Sequence, residues 1–156
     1  VEQLLSERIF QPLGMEQDAA FIVDGEGTAF AAGGLNLCLR DLARFGELIR
    51  LGGRWHGRQV LPRAAVEDIF RGASRSDFEQ AGYSTMAGWS YHDQWWVTHN
   101  AHGAIMARGI HGQAIYIDPK AEMVIARFGS HPVASGIEFD PTTLPAFAAL
   151  ADYFLR

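Results

Sequence analysis

The sequence predicts an α/β (α+β) fold in which antiparallel hairpins are accompanied by amphipathic helices. Two observations carry that reading. Apolar residues run through 107–118, turn at Pro119-Lys120 and return over 123–128, the pattern of a β-hairpin. Further stretches repeat their apolar residues at helical spacing and are bounded by Pro and Gly signals. Gly109 and Gly112 bracket Ile110 and His111 where the hairpin's first strand opens, so its backbone should be unusual there.

Taken in order, Val1, Leu4, Leu5 and Ile9 fall at helical spacing and stop at Pro12-Leu13-Gly14, so the chain opens inside a helix. Residues 20–23 make a brief strand or extended segment closed by Asp24-Gly25-Glu26-Gly27. The loop 31–36 then feeds the clearest helix, residues 39–51, with Cys38, Leu42, Phe45 and Ile49 on one face and Gly52-Gly53 after it. Cys38 stands in the cap position three residues before Asp41, and a thiol accepts hydrogen bonds too weakly to cap well. A second helix starts at Leu61-Pro62, with proline at its first position and Ala65, Val66, Ile69 and Phe70 inward, and ends near Gly72. Residues 72–86, rich in Ser, Gly and charge, read as a long surface loop. Residues 88–91 and 95–97 flank His92-Asp93-Gln94 as a strand pair that carries three of the four tryptophans. Asp140-Pro141 leads into a last helix with Leu144, Phe147, Leu150, Ala151 and Phe154 on one stripe. Residues 1–86 are thus mainly helical, residues 87–156 supply strands and the final helix, and no linker separates them.

Composition excludes several functions. With 156 residues, 48% apolar and 20% charged, the chain has the make-up of one globular domain with a packed core. The net charge is −5, and the arginines are scattered around a single lysine, Lys120, so there is no basic patch for nucleic acid. One cysteine, Cys38, excludes an internal disulfide and leaves the compartment open between cytoplasm and periplasm. No apolar run approaches the roughly 18 residues of a membrane span, and the N-terminus lacks the regions of a signal peptide. Val1 begins in mid-pattern without methionine, which suggests a processed or truncated product.

The search for chemistry begins with absences. No serine has a lysine three residues later, and there is no Gly-x-Ser-x-Gly elbow, Tyr-x-Asn or phosphate loop. His99 and His102 have a spacing that could meet on a helix, but no His-Glu-x-x-His accompanies them and the stretch reads as loop, so neither a metal nor a cofactor is expected. Gly109 and Gly112 leave two readings open. They could aim the backbone N–H of Ile110 or His111 at a carbonyl oxygen, or merely serve a bulge or tight strand start. His111 could orient substrate or bond a backbone carbonyl. Trp89, Trp95 and Trp96 could pack a core or wall an apolar cleft, and Asn36 could cap a turn or point into that cleft.

The residues around the hairpin carry a resemblance. Residues 108–119, with Val124-Ile125-Ala126-Arg127-Phe128 behind them, resemble the C-terminal part of the penicillin-recognising serine hydrolases, the class C β-lactamase-like esterases and most closely the aminohexanoate-dimer hydrolase branch. Gly33-Gly34-Leu35-Asn36 and the following residues 39–46 resemble the segment preceding it, and residues 7–15 resemble the helix end after the family's Tyr-containing motif. The resemblance implies an antiparallel sheet flanked by helices with an inserted helical region, the C-terminal portion of the serine β-lactamase-like fold. It also implies an acyl-enzyme mechanism on a small amide or ester. The family's Ser-x-x-Lys and Tyr would lie upstream of Val1, so this chain alone is expected to be inactive.

Carried over by position, the glycine of the family's Lys-Thr-Gly strand matches Gly109, and Ile110 supplies the next backbone N–H, half of the oxyanion hole. Ala107 and Arg108 fill the Lys and Thr slots, which help hold a β-lactam carboxylate. Ala107 cannot do so, and Arg108 could only by another geometry, so an amidase or esterase is favoured over a β-lactamase. Trp96 matches an aromatic of the substrate pocket, and Asn36 a position lining it. The alternative is a non-catalytic binding or interaction module derived from the family. Without the family's N-terminal strands, the last strand should be left as an open sheet edge through which the chain could associate.

Overall fold

A computed structural model describes residues 1–156. The chain opens on a helical segment, α1, at residues 2–13, whose middle turn Ser6–Phe10 is π-helical and which ends at Gly14 with φ 62°. A ribbon of β1 (Ala20–Phe21) against β2 (Leu35–Asn36) leads into α2 (Leu39–Arg50). Then come a small hairpin of β3 (Arg54–Trp55) with β4 (Arg58–Gln59), the helix α3 (Arg63–Arg71) and a one-turn helix α4 (Arg75–Glu79). Five strands follow: β5 (Ser90–His92), β6 (Trp95–Val97), β7 (Ile105–Arg108), β8 (Ala114–Asp118) and β9 (Met123–Arg127). The last helix is α5 (Asp140–Phe154). No helix is long and apolar enough to cross a membrane.

The five strands form one antiparallel sheet in the order β5-β6-β7-β8-β9. Because strand side chains alternate between faces, each strand feeds two layers. Trp95, Val97, Ile105, Ile115 and Ile117 point to one face, where Ile49 of α2 and Val66 of α3 cover them. Met106, Ala114, Tyr116 and Met123 point to the other, against Phe147 and Ala151 of α5. β8 is covered on both sides, which is why all five of its residues are buried. β9 pairs with β8 alone and forms one edge of the sheet.

Several sequence expectations change. Residues 72–86 are not a plain surface loop. Ser74 caps α4 by accepting from the Asp77 N–H, and buried Phe78 and Met86 tie the segment down. The final helix uses a narrower face than its stripe suggested, since Leu150 is 47% and Phe154 63% exposed. Ala65 of α3 is also exposed, and Pro62 is the cap residue just before α3 rather than its first helical residue. Cys38 makes no side-chain cap, as expected of a thiol; its S–H instead donates to Asp41 Oδ2 at 3.1 Å.

Asp41 is completely buried and gathers the Glu16 and Gln17 N–H groups as well as Arg44, so it holds the segment after α1 onto the start of α2. Burial works to raise its pKa, but these donors outweigh burial and hold the carboxyl below its usual range. The buried Ser90 accepts from the Ala73 N–H, and its hydroxyl lies 2.7 Å from His99 Nε2, where a neutral imidazole can accept its hydrogen. Burial first, and the charge of Arg75 second, lower the His99 pKa.

Two outcomes follow from this packing. A Cβ at Gly46 of α2 would lie 2.6 Å from Val124 Cγ1 and 2.9 Å from Ile115 Cγ2. Overpacking costs about 1–3 kcal/mol, against about 1 kcal/mol gained in helix propensity, so Gly46→Ala is expected to lower the urea midpoint, with a rise showing that the helix has room to lift. For His99, a depressed folded pKa means that its contribution is full above the unfolded value near 6.5 and is lost as pH falls below it. His99→Gln, which keeps an acceptor but cannot titrate, is expected to lose less stability than the wild type between about pH 6.5 and 5 in urea titrations.

Candidate active site

The β7–β8 connection differs from the single strand read over 107–119. β7 stops at Arg108, residues Ile110–Gly112 make a 3₁₀ turn, and β8 begins at Ala114. Gly109 is ordinary extended backbone with φ −105° and ψ 170°, so the left-handed conformation falls on His111 (φ 56°) and Gly112 (φ 85°) instead. Gly112 also has no room for a side chain, since a Cβ there would lie 2.5 Å from the His131 ring.

This geometry fixes the direction of one backbone donor. The Gly109 N–H donates to Gln113 O at 2.9 Å, toward β8. In extended backbone successive N–H groups point to opposite sides, so the Ile110 N–H points away from β8 toward the other edge of β7. The remaining bonds of the turn run from His111 N–H to Ala134 O and from Gln113 N–H to Ile110 O, and neither uses it. β6 pairs with β7 only at Trp96↔Met106 and Val97↔Ile105, which leaves the β7 edge open beyond Met106.

Two cavities, one over β7 and β8 on the α2 side and one at the open β7 edge, share Arg108 and Gly109. One, of about 390 Å³, is walled by Leu35, Asn36 and Leu37 of the β2 ribbon, Leu42 of α2, Ala107, Gln113 and Phe128. The other, of about 190 Å³, is walled by Tyr83, Met86, Trp96, Ile110, Ser135 and Ile137. The structure therefore brings Trp96, Gly109 and Ile110 to one cavity, and Asn36 to the other, where it meets Gly109. Asn36 is exposed and donates from Nδ2 to Gly34 O at 2.9 Å. Trp96 stacks edge-on against Tyr91 at 4.6 Å, and its buried Nε1 has no hydrogen-bond partner. Ile110 is 60% exposed.

The other two expected substrate contacts are committed elsewhere. Arg108 donates from Nη2 to Asp140 Oδ1 at 2.7 Å and from Nη1 to Asp140 Oδ2 at 3.1 Å, a fork-to-fork pair whose side chains are 13% and 4% exposed. Thr85 adds a hydroxyl donor to Asp140 Oδ2 at 2.8 Å. His111 lines neither cavity. Its Nδ1–H donates to His131 O at 2.7 Å and its carbonyl accepts from the His131 N–H, so of the two readings the structure favours the backbone one. The remaining histidines do not assemble a metal centre around the cleft: His99 meets Ser90, and His102 donates to Asp118 Oδ2 at 2.8 Å. Asp68, His92 and Asp93 bring ligand atoms within 4.8 Å of one another far along the chain from the turn, but there Asp68 already pairs with Arg71 and His92.

The β-lactamase family model matches residues 1–135, most of the chain. The chain belongs to the β-lactamase family. Within it, the chain is 37% identical over 131 residues to the 6-aminohexanoate-dimer hydrolase of Paenarthrobacter ureafaciens, covering 83% of this chain and 33% of that protein. A solved structure named "Putative 6-aminohexanoate-dimer hydrolase from Bacillus anthracis" superposes with a TM-score of 0.81 at 36% identity, over 96% of this chain and 37% of the other. A Bacteroides dorei structure named "putative beta-lactamase" shares the fold alone, with a TM-score of 0.56 at 18% identity, over 90% of this chain and 50% of its own. The chain thus spans about a third of the length of the aminohexanoate-hydrolase relatives.

Among the residues lining these two cavities, sequence reading missed Gln113 and Phe128 beside Gly109, and Met86 and Tyr83 beside Trp96. The first two adjoin the hairpin and could have been found by extending it; the others lay in the stretch read as surface loop. Asp140 was visible only as the residue before a helix-starting proline. Removing one partner of a buried ion pair costs about 3–5 kcal/mol, because the other charge is stranded. Asp140→Ala is therefore expected to lower stability by that order in urea unfolding, and Arg108→Met combined with Asp140→Leu to recover much of it. A double variant as unstable as the sum of the two singles would show that the pair is not coupled.

Proposed function

We propose that this chain forms the far wall of the acyl-transfer cleft of a serine hydrolase that cleaves amides or esters, with the Ile110 N–H as one of two donors to the oxyanion. The observation that carries this reading is the direction of that N–H. It is left free by the turn, it faces the open edge of β7, and Ile110 lines the cavity walled by Trp96. A preorganised backbone donor placed where charge develops is worth about 2.7–4 kcal/mol of transition-state stabilisation. A Cβ at Gly109 would stand 3.0 Å from Gln113 Cβ, so the glycine lets the turn close against Gln113. The serine, its lysine base and the second donor come from outside these 156 residues, since no serine here has a lysine three positions on.

The walls also indicate the substrate. Ala107 brings no charge, and Arg108 is already neutralised by Asp140, so a substrate carboxylate finds no free cation at the position where a β-lactam would need one. Apolar and aromatic walls with the amides of Asn36 and Gln113 suit an uncharged acyl chain. The name of the Paenarthrobacter relative makes the 6-aminohexanoate dimer the first linear amide to try, its charged ends reaching beyond these walls and its methylene chains lying against them. The open edge of β9 is where a further strand, from the same protein or another copy, would add.

Reading the gene upstream of Val1 is expected to find Ser-x-x-Lys, followed by a tyrosine motif. The 156 residues alone are expected to hydrolyse neither p-nitrophenyl acetate nor nitrocefin above a heat-treated control, while the longer protein cleaves the ester. In the longer protein Ile110→Pro removes one N–H at a site whose preceding residue already has proline-compatible backbone, and kcat is expected to fall about 100- to 1000-fold. Turnover by the short chain that a serine-directed reagent stops, or an upstream frame without Ser-x-x-Lys, would overturn the proposal; the latter would leave a binding module.

A further inference from the structure

Beneath the turn that presents Ile110 lies a charged side chain that the proposed chemistry does not use. Arg127 of β9 donates from Nε to Gly112 O at 2.7 Å and from Nη1 to Thr143 Oγ1 at 3.3 Å. Its guanidinium carbon stands 5.3 Å from the centroid of the Phe147 ring. One planar group therefore ties the turn to two residues of α5. The turn's other bonds close it on itself or reach the 131–134 segment, and only Arg127 links it to α5. Gly112 has φ 85° and His111 φ 56°, outside any regular ladder, and the nearest regular pair of the sheet is Arg108↔Ala114.

The charge balance adds to the geometry. Arg108 occupies both oxygens of Asp140, whereas the donors of Arg127 go to a carbonyl and a hydroxyl. Two arginines face one carboxylate, which leaves one net positive charge under the turn. Burial first, then the charge of Arg108, draw the Arg127 pKa down, with Asp140 acting in the opposite direction. A partly buried cation stands here, where an apolar residue would cover Phe147 at lower desolvation cost.

We propose that Arg127 is a positioning residue for the oxyanion turn: its fork anchors the Gly112 carbonyl to α5 and so holds the Ile110 N–H at the cleft edge. The inference rests on the proposed hydrolase reading for its catalytic meaning, but the anchoring itself can be measured without it. A lysine could reach one of the two acceptors but not bridge them, so Arg127→Lys tests the fork and Arg127→Met the whole side chain.

Amide hydrogen exchange on the 156-residue chain reads the anchoring directly. Both variants are expected to speed exchange at the His111 and Gln113 amides by about tenfold or more, with Tyr116 and Ile117 of β8 as slow as in the wild type. Thr143→Ala, a milder change should Arg127→Met not fold, is expected to move the same two amides by a smaller factor. In the longer protein the Arg127 variants are expected to lower kcat about tenfold or more with KM within about twofold, the signature of a misplaced transition-state donor. Unchanged exchange at His111 and Gln113 overturns the inference, as does full rescue by lysine. Faster exchange in the variants together with a longer wild-type protein that hydrolyses nothing would instead sink the hydrolase reading and leave the anchor standing.

Discussion

Four residue pairs, from Ile105↔Ile117 to Arg108↔Ala114, set β7 against β8, and through side-chain alternation they also decide which helical layer each β7 residue meets. Ile105 and Ala107 go to the face covered by α2 and α3, while Met106 and Arg108 go to the face covered by α5. A slip of one residue would drive the Arg108 guanidinium among Ile49, Ile115 and Val97 and leave Asp140 buried without a cation. Either fault costs several kcal/mol. The same register ends β7 at the point where Gly109 turns its N–H to Gln113, so it also points the Ile110 N–H outward. Core packing and donor direction are thus consequences of one alignment.

Three buried aspartates then fasten distant segments to this frame. Asp41 binds the residues after α1 to the first turn of α2. Asp118 closes the β8–β9 turn through the Ala121 N–H and draws in His102 from the β6–β7 connection. Asp140 draws Thr85 and Arg108 to the first turn of α5, where a negative charge also suits the helix dipole. In each case a carboxylate meets donors from more than one segment, which is the condition under which burying it is tolerable. These carboxylates act as joints between elements that apolar contact alone would leave free to slide.

This division explains what was legible in the sequence. The helix over Leu39–Arg50 and both hairpins declared themselves through period and turn residues, because those signals are local. The candidate residues Asn36, Trp96, Gly109 and Ile110 were raised by turn and aromatic signals and placed by the resemblance; the structure puts Trp96 and Ile110 in one cavity and Asn36 in another, with Gly109 in both. What stayed hidden was non-local or singly anchored. Arg108 and Asp140 lie 32 residues apart with no periodic relation. The helix α4 is held by one cap and by Phe78, and Ser74-x-x-Asp77 was the only local trace of it. On α5 the equal spacing of Leu150 and Phe154 with Phe147 concealed that a face of Phe147 and Ala151 suffices to cover the sheet. The unusual backbone read at the glycines falls on Gly112, while Gly109 is extended and His111 takes the other left-handed position.

The commitment of both nearby arginines bears on how any substrate would be held. To recruit Arg108, a substrate carboxylate would have to displace Asp140 from a bidentate, nearly buried pair and leave that aspartate stranded beside Thr85. The incoming pair could gain no more Coulomb energy than the outgoing one, and the stranded charge would add a cost of several kcal/mol. Recruiting Arg127 would release the Gly112 carbonyl and loosen the turn. Neither cation can bind substrate without taking apart the wall that places the Ile110 N–H. A substrate of the proposed cleft is therefore held by neutral donors and by apolar contact with walls such as Leu42, Phe128 and Trp96, and its selectivity rests on the shape of its acyl chain rather than on charge.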